Sequence, residues 1–109
     1  MSVLVVDDEE SVRFICEIVL GSAGIPVITA SSADNALEIL DSEAERIRLV
    51  ISDYHMPGTR GDELVEQIVD RYPDLPTLLW STVENRERGI ALKDPMAKEF
   101  PQRVQTLAS

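Results

Sequence analysis

Val3-Leu4-Val5-Val6-Asp7-Asp8 runs four apolar residues straight into two acids, and Leu49-Val50-Ile51-Ser52-Asp53 repeats the arrangement later in the chain. Short apolar, β-branched runs of this kind read as strands of a parallel sheet, which is covered on both faces and so lacks strict polar and apolar alternation. Ligands of such an open α/β sheet bind beyond the carboxyl ends of its strands. Asp7, Asp8 and Asp53 are therefore expected to converge on one edge. Carboxylates clustered with little else nearby suit Mg²⁺, which prefers oxygen ligands and leaves positions for a phosphate. The predicted chemistry is metal-assisted phosphoryl transfer.

The elements between and beyond these strands fit the same sheet. Glu9 to Leu20 places apolar groups at helical spacing and is followed by Gly21 and Gly24, good stop residues. Ile25 to Ala30 reads as a second strand and Ala33 to Glu45 as a second helix; Ile47 to Ser52 is the third strand. His55 to Gly61 is turn-rich, Asp62 to Tyr72 returns to helical periodicity, Pro73 ends it, and Pro76 to Trp80 is a fourth strand. Right-handed crossovers allow this β-α-β-α-β-α-β order only as a doubly wound parallel sheet.

After Ser81, Pro95 and Pro101 must be placed among 28 residues. One arrangement makes Val83 to Lys93 a shortened helix, Met96-Ala97-Lys98 a stubby fifth strand, and Pro101 the opening of a last helix, where proline is tolerated. The other makes Ile90-Ala91-Leu92 the fifth strand, with a helix capped by Asp94 and starting at Pro95. It leaves Pro101 in a helix interior at roughly 3 kcal/mol and erases the fourth helix. The first is preferred.

Composition narrows the function classes. One domain over residues 1–109 is the expectation, since that length suits a single compact unit. With 10 Lys plus Arg against 20 Asp plus Glu, the net charge of −10 opposes direct binding to nucleic acid or to anionic membranes. No apolar run approaches membrane-spanning length and no leader-like segment precedes the first strand, so a cytoplasmic location is expected. The single Cys16 falls on a helical stripe with Val12 and Val19, which reads as a buried structural thiol.

The combination Val-Val-Asp7-Asp8-Glu, Ser-Asp53-Tyr-His-Met56-Pro57-Gly58 and Gly61 resembles the receiver domain of two-component response regulators over residues 3 to 82. The resemblance implies a flavodoxin-like fold: a five-stranded doubly wound sheet built of five βα units, here with the fourth helix region shortened or missing. It also implies that Asp53 is the phosphoacceptor, that Asp8 and Asp53 bind Mg²⁺ together with the backbone carbonyl of His55, and that Asp7 orients metal-bound water. Ser81 stands where the family places a hydroxyl that follows the phosphoryl group. The family's lysine falls on Lys98 in Met-Ala-Lys-Glu-Phe or on Lys93 in Ile-Ala-Leu-Lys-Asp-Pro, and Lys98 is preferred. The switch aromatic of the family is replaced by Pro95 or Ile90, so no aromatic rotamer switch is expected.

By the same resemblance, the phosphoryl donor is a sensor histidine kinase or phosphotransfer protein, and the output is contact with a downstream protein that the sequence does not identify. The chain would be a switch that catalyses only its own phosphorylation and dephosphorylation, not a metabolic enzyme. A degenerate receiver serving as a phosphorylation-independent docking module is the alternative, motivated by the short end and the unplaced lysine. A Mg²⁺-dependent phosphatase would want a second Asp two residues after the nucleophile and finds His55. Blander readings stand beside these. A strand-end acid can favour a helix dipole, a lone His in a turn is usually solvated, and Trp80 in an apolar strand is core packing. Gly58 and Gly61 read as backbone requirements of the turn.

Overall fold

Strands and helices alternate from the first residues, and the computed structural model describes residues 1–109. The elements are β1 (Ser2–Val6), α1 (Glu10–Ser22), β2 (Val27–Ala30), α2 (Ala33–Glu43), β3 (Ile47–Asp53), α3 (Gly61–Arg71), β4 (Thr77–Ser81), β5 (Ile90–Leu92) and α4 (Phe100–Ala108). Single 3₁₀ turns occupy Ala44–Arg46 and Arg86–Arg88. All neighbouring strands pair in parallel in the order β2-β1-β3-β4-β5, the flavodoxin-like doubly wound sheet. The strand order reverses between β1 and β3, so the crevice of the fold opens where Val6 and Asp53 end these strands.

Alternate side chains of β1 and β3 feed two separate cores. Val3, Val5, Leu49 and Ile51 join Cys16 and Leu20 of α1 and Phe100 and Val104 of α4 on one face. Leu4, Val6 and Val50 join Ala36 and Leu40 of α2 and Leu64 and Ile68 of α3 on the other. Each fully buried aliphatic side chain contributes roughly 1.5–3 kcal/mol, and burial on both faces explains why these strands read as unbroken apolar runs. Trp80 is core, as expected, stacked on Phe100 with ring centroids 5.1 Å apart. Ser32 caps α2, its hydroxyl accepting from Asn35 N–H at 3.1 Å.

The end of the chain departs from the preferred arrangement. No helix spans Val83 to Lys93; the chain makes only the Arg86–Arg88 turn and reverses at Gly89, whose φ of +70° suits glycine. The segment Glu84-Asn85-Arg86-Glu87-Arg88-Gly89 offers no apolar stripe to hold a helix on the sheet. Instead, Asn85 exchanges two backbone hydrogen bonds with Ile90, at 2.8 and 2.9 Å. The fifth strand is Ile90–Leu92 and not Met96–Lys98: Ile90 and Ala91 pair with Leu79 and Trp80, and the next N–H, of Lys93, donates to the Ser81 carbonyl at 2.6 Å. The last helix does carry Pro101 in its first turn, where the missing N–H costs nothing. Each arrangement thus supplied one element, and no α-helix connects β4 to β5.

Candidate functional site

β1 and β3 deliver three acids to one place. One carboxylate oxygen each from Asp7, Asp8 and Asp53 can lie within 4.8 Å of one another. Asp7 and Asp53 are buried while Asp8 is exposed, so the cluster is sealed on the sheet side and open on the other. Its floor is fixed by backbone: Asp7 Oδ1 accepts from Glu9 N–H at 2.9 Å, and Arg13 Nη1 donates to the Asp7 carbonyl at 2.7 Å. Arg13 was not anticipated from the sequence. Its position a turn into α1, one and a half turns beyond the acids, is the only trace the sequence carries of that contact.

Lys93 enters this cluster and Lys98 does not. The Lys93 ammonium lies 3.0 Å from Asp7 Oδ2 and 3.2 Å from Asp53 Oδ2, with its side chain 7% exposed. Lys98 is exposed in the loop before α4 and makes no ion pair. The preference for Lys98 followed from placing the fifth strand at Met96–Lys98; with β5 at Ile90–Leu92, the residue leaving the strand's carboxyl end is Lys93. No aromatic residue lies on β5.

Electrostatics follow from this packing. Burial pushes the Asp53 carboxyl above its ordinary range and the Asp7 charge pushes the same way, while Lys93 and a hydrogen bond from the His55 backbone N–H pull back incompletely. Burial alone would lower the Lys93 ammonium, but its hydrogen bond and charge pairing with Asp7, then with Asp53, outweigh it and raise it. Three carboxylates against one ammonium leave a formal excess of two negative charges. The donor set is all oxygen, partly open and short of positive charge, which fits a hard divalent cation.

The turn after Asp53 holds the remaining residues. Met56 is buried in the second core and anchors the turn, and Gly58 has φ +80°. Gly61 is required for a different reason than a turn: a Cβ there would fall on the Asp53 carbonyl oxygen, so only glycine lets α3 start against the end of β3. His55 is exposed, its ring edge-on to Tyr54 at 4.8 Å, and its imidazole touches none of the acids. Ser81 is buried at the end of β4, one residue beyond the Trp80 that pairs with Asp53, and its hydroxyl accepts from Val83 N–H at 3.3 Å. It therefore already links the strand to the following loop. Arg88 reaches back from that loop to the Tyr54 hydroxyl at 3.5 Å.

Comparison with known proteins places this geometry. The family model for the response regulator receiver domain matches residues 3–101. The two-component response regulator ARR14 of Arabidopsis thaliana is 41% identical over 81 residues, covering 74% of this chain, and the response regulator protein FleR of Pseudomonas aeruginosa is 37% identical over 109 residues, covering 94%. The chain spans 21% and 22% of the length of those two proteins. Among solved structures, response regulator TrrA of Thermotoga maritima, in complex with Mg²⁺ and BeF, superposes with a TM-score of 0.87 at 27% identity, covering 98% of this chain and 99% of that one. This chain belongs to the response regulator receiver family. No helix in it is long and apolar enough to cross a membrane.

Proposed function

We propose that this receiver domain accepts a phosphoryl group on Asp53 and thereby changes the surface it presents to another protein. The observation that carries the reading is Lys93 held between the two buried acids, Asp7 and Asp53, of a three-carboxylate cluster that is open at Asp8. Asp53 Oδ attacks phosphorus, the P–O bond to the carboxylate forms as the bond to the donor's imidazole nitrogen breaks, and the imidazole leaves with that electron pair and takes up a proton. The donor is a sensor histidine kinase or a phosphotransfer protein. No general base is needed, because a carboxylate is nucleophilic when ionised.

Asp7, Asp8 and Asp53, with the His55 carbonyl, would hold Mg²⁺, which when bound supplies charge neutralisation for the phosphoryl oxygens. The relative solved with Mg²⁺ and BeF supports this assignment by its likeness to the present fold. Lys93 exchanges one carboxylate contact for a phosphoryl oxygen, a charge-assisted bond that needs only a small movement of the β5 end. The Ser81 hydroxyl turns from Val83 N–H toward the phosphoryl group and draws the 82–89 loop with it. The chain acts on itself, as a switch and not as an enzyme with a separate substrate to turn over. It acts in the cytoplasm, where the donor's phosphohistidine is presented. Lys93 in contact with two carboxylates removes one motive of the docking-module reading, the unplaced lysine.

Intact-mass spectrometry after incubation with acetyl phosphate and Mg²⁺ tests the proposal. One phosphoryl adduct is expected, absent with chelator and absent in Asp53→Asn; an adduct that survives Asp53→Asn would contradict it.

A further inference from the structure

We infer that the amino-terminal edge of the sheet, opposite the acidic cluster, carries a second binding site, for a small monocarboxylate with an apolar body held by Arg48. A cavity of about 660 Å³ opens there, within the range of small-molecule sites, with Ile47, Tyr72, Leu75 and Pro76 among its walls and Arg48 reaching it from β3. A slip in strand pairing puts Arg48 there. Ser2 pairs with Ile47 and Val3 with Leu49, so Arg48 is an extra residue against β1, and such bulges re-aim a side chain.

The guanidinium that arrives is unpaired. Its Nε is shut off from solvent without a hydrogen-bond partner, and Arg48 takes part in no ion pair. In a chain with twice as many acids as bases, the withdrawn Lys93 side chain has two carboxylates, Arg60 has two, and Arg46, Arg71 and Arg86 have one each, whereas Arg48 has none. A partly desolvated cation with no acceptor is costly, and a planar carboxylate matches the guanidinium fork. The walls select an apolar body behind that carboxylate. Two exposed acids, Glu45 and Asp74, also line the cavity and disfavour a dianion such as phosphate, which limits the ligand to a single negative charge.

Two-dimensional ¹H–¹⁵N NMR of the whole chain, titrated with phenylacetate, tests this independently of Asp53 phosphorylation. Saturable shifts are expected at the Arg48 Nε–H and at the amides of Ile47, Tyr72 and Leu75. Affinity should be at least about tenfold weaker for phenylacetamide, for inorganic phosphate and in Arg48→Met. The inference is overturned if those signals show no saturable shift up to about 20 mM phenylacetate, if phenylacetamide binds equally well, if phosphate binds as tightly, or if a folded Arg48→Met variant binds unchanged. Should Arg48→Met lose its dispersed spectrum, the comparison of phenylacetate with phenylacetamide on the unaltered chain decides alone.

Discussion

Around β1 and β3 both faces of the sheet carry buried core side chains, whereas β4 and β5 contribute to one core only: Leu78 and Trp80 join the core under α1 and α4, and on the other face half-buried Leu79 meets just the start of α3. The two regions contribute different parts of the site. The doubly covered strands end in Asp7, Asp8 and Asp53, groups that must hold still to bind a cation and present a nucleophile. The thinly covered strands end in Ser81 and Lys93, the groups proposed to shift on phosphorylation. Between them lies a loop with one 3₁₀ turn in place of a helix, leaving Val83 74% and Leu92 50% exposed. Local stability is lowest where buried apolar contacts are fewest, so the moving parts fall on the weakly packed side.

Four experiments test that contrast between the two regions. Cys16 probes the doubly covered region, since burial above all, then the Asp7 charge, pushes its thiol from 9.0 up to about 12. At pH 8 its alkylation by iodoacetamide should be about a thousandfold slower than in the unfolded chain, three pH units of thiolate suppression; comparable rates would mean this core opens freely. Glycines on the two sides should also differ. Gly61→Ala puts a methyl group onto the Asp53 carbonyl and should cost about 3 kcal/mol or more, whereas Gly89→Ala meets open space and should cost only about 1 kcal/mol for its positive φ, both read by urea unfolding.

Apolar truncations extend the test. Leu64→Ala, fully buried in the second core, should lose about 3 kcal/mol, and half-exposed Leu92→Ala about 0.5 kcal/mol. Equal losses would show that the loop side is packed as firmly as the rest. The two lysines close the series. Lys93→Met should slow phosphorylation by acetyl phosphate about a hundredfold, the scale for removing one positioned electrostatic contact, and Lys98→Met should leave the rate within about twofold. A larger effect at Lys98 would reverse the assignment of the lysine.

How far the sequence could be read divides along the same line. Val3–Val6 and Leu49–Ser52 announce themselves because double burial demands uninterrupted apolar runs, and their junctions with Asp7 and Asp53 disclose the edge on which the acids meet. The β5 strand has only three residues, of which Ile90 is buried and Leu92 half-exposed, so it left almost no pattern. Its place is set by backbone hydrogen bonds, Asn85 with Ile90 and Lys93 with Ser81, which side-chain periodicity does not record. The choice between Lys93 and Lys98 depended on that strand. Gly61 was legible as a special glycine but not as the point where α3 abuts Asp53, because the contact is made across the crossover. The unpaired Arg48 was invisible for the same kind of reason, since the pairing slip that re-aims it exists only between strands.

Asp53 is the residue proposed to carry the phosphoryl group. Borohydride converts an aspartyl phosphate to homoserine, and trypsin should then release residues 49–60, a peptide in which Asp53 is the one side-chain carboxylate. After incubation with acetyl phosphate and Mg²⁺, mass spectrometry should find homoserine at position 53 in that peptide and unmodified aspartate at positions 7 and 8. Homoserine at either of those positions, with residue 53 unchanged, would contradict the account.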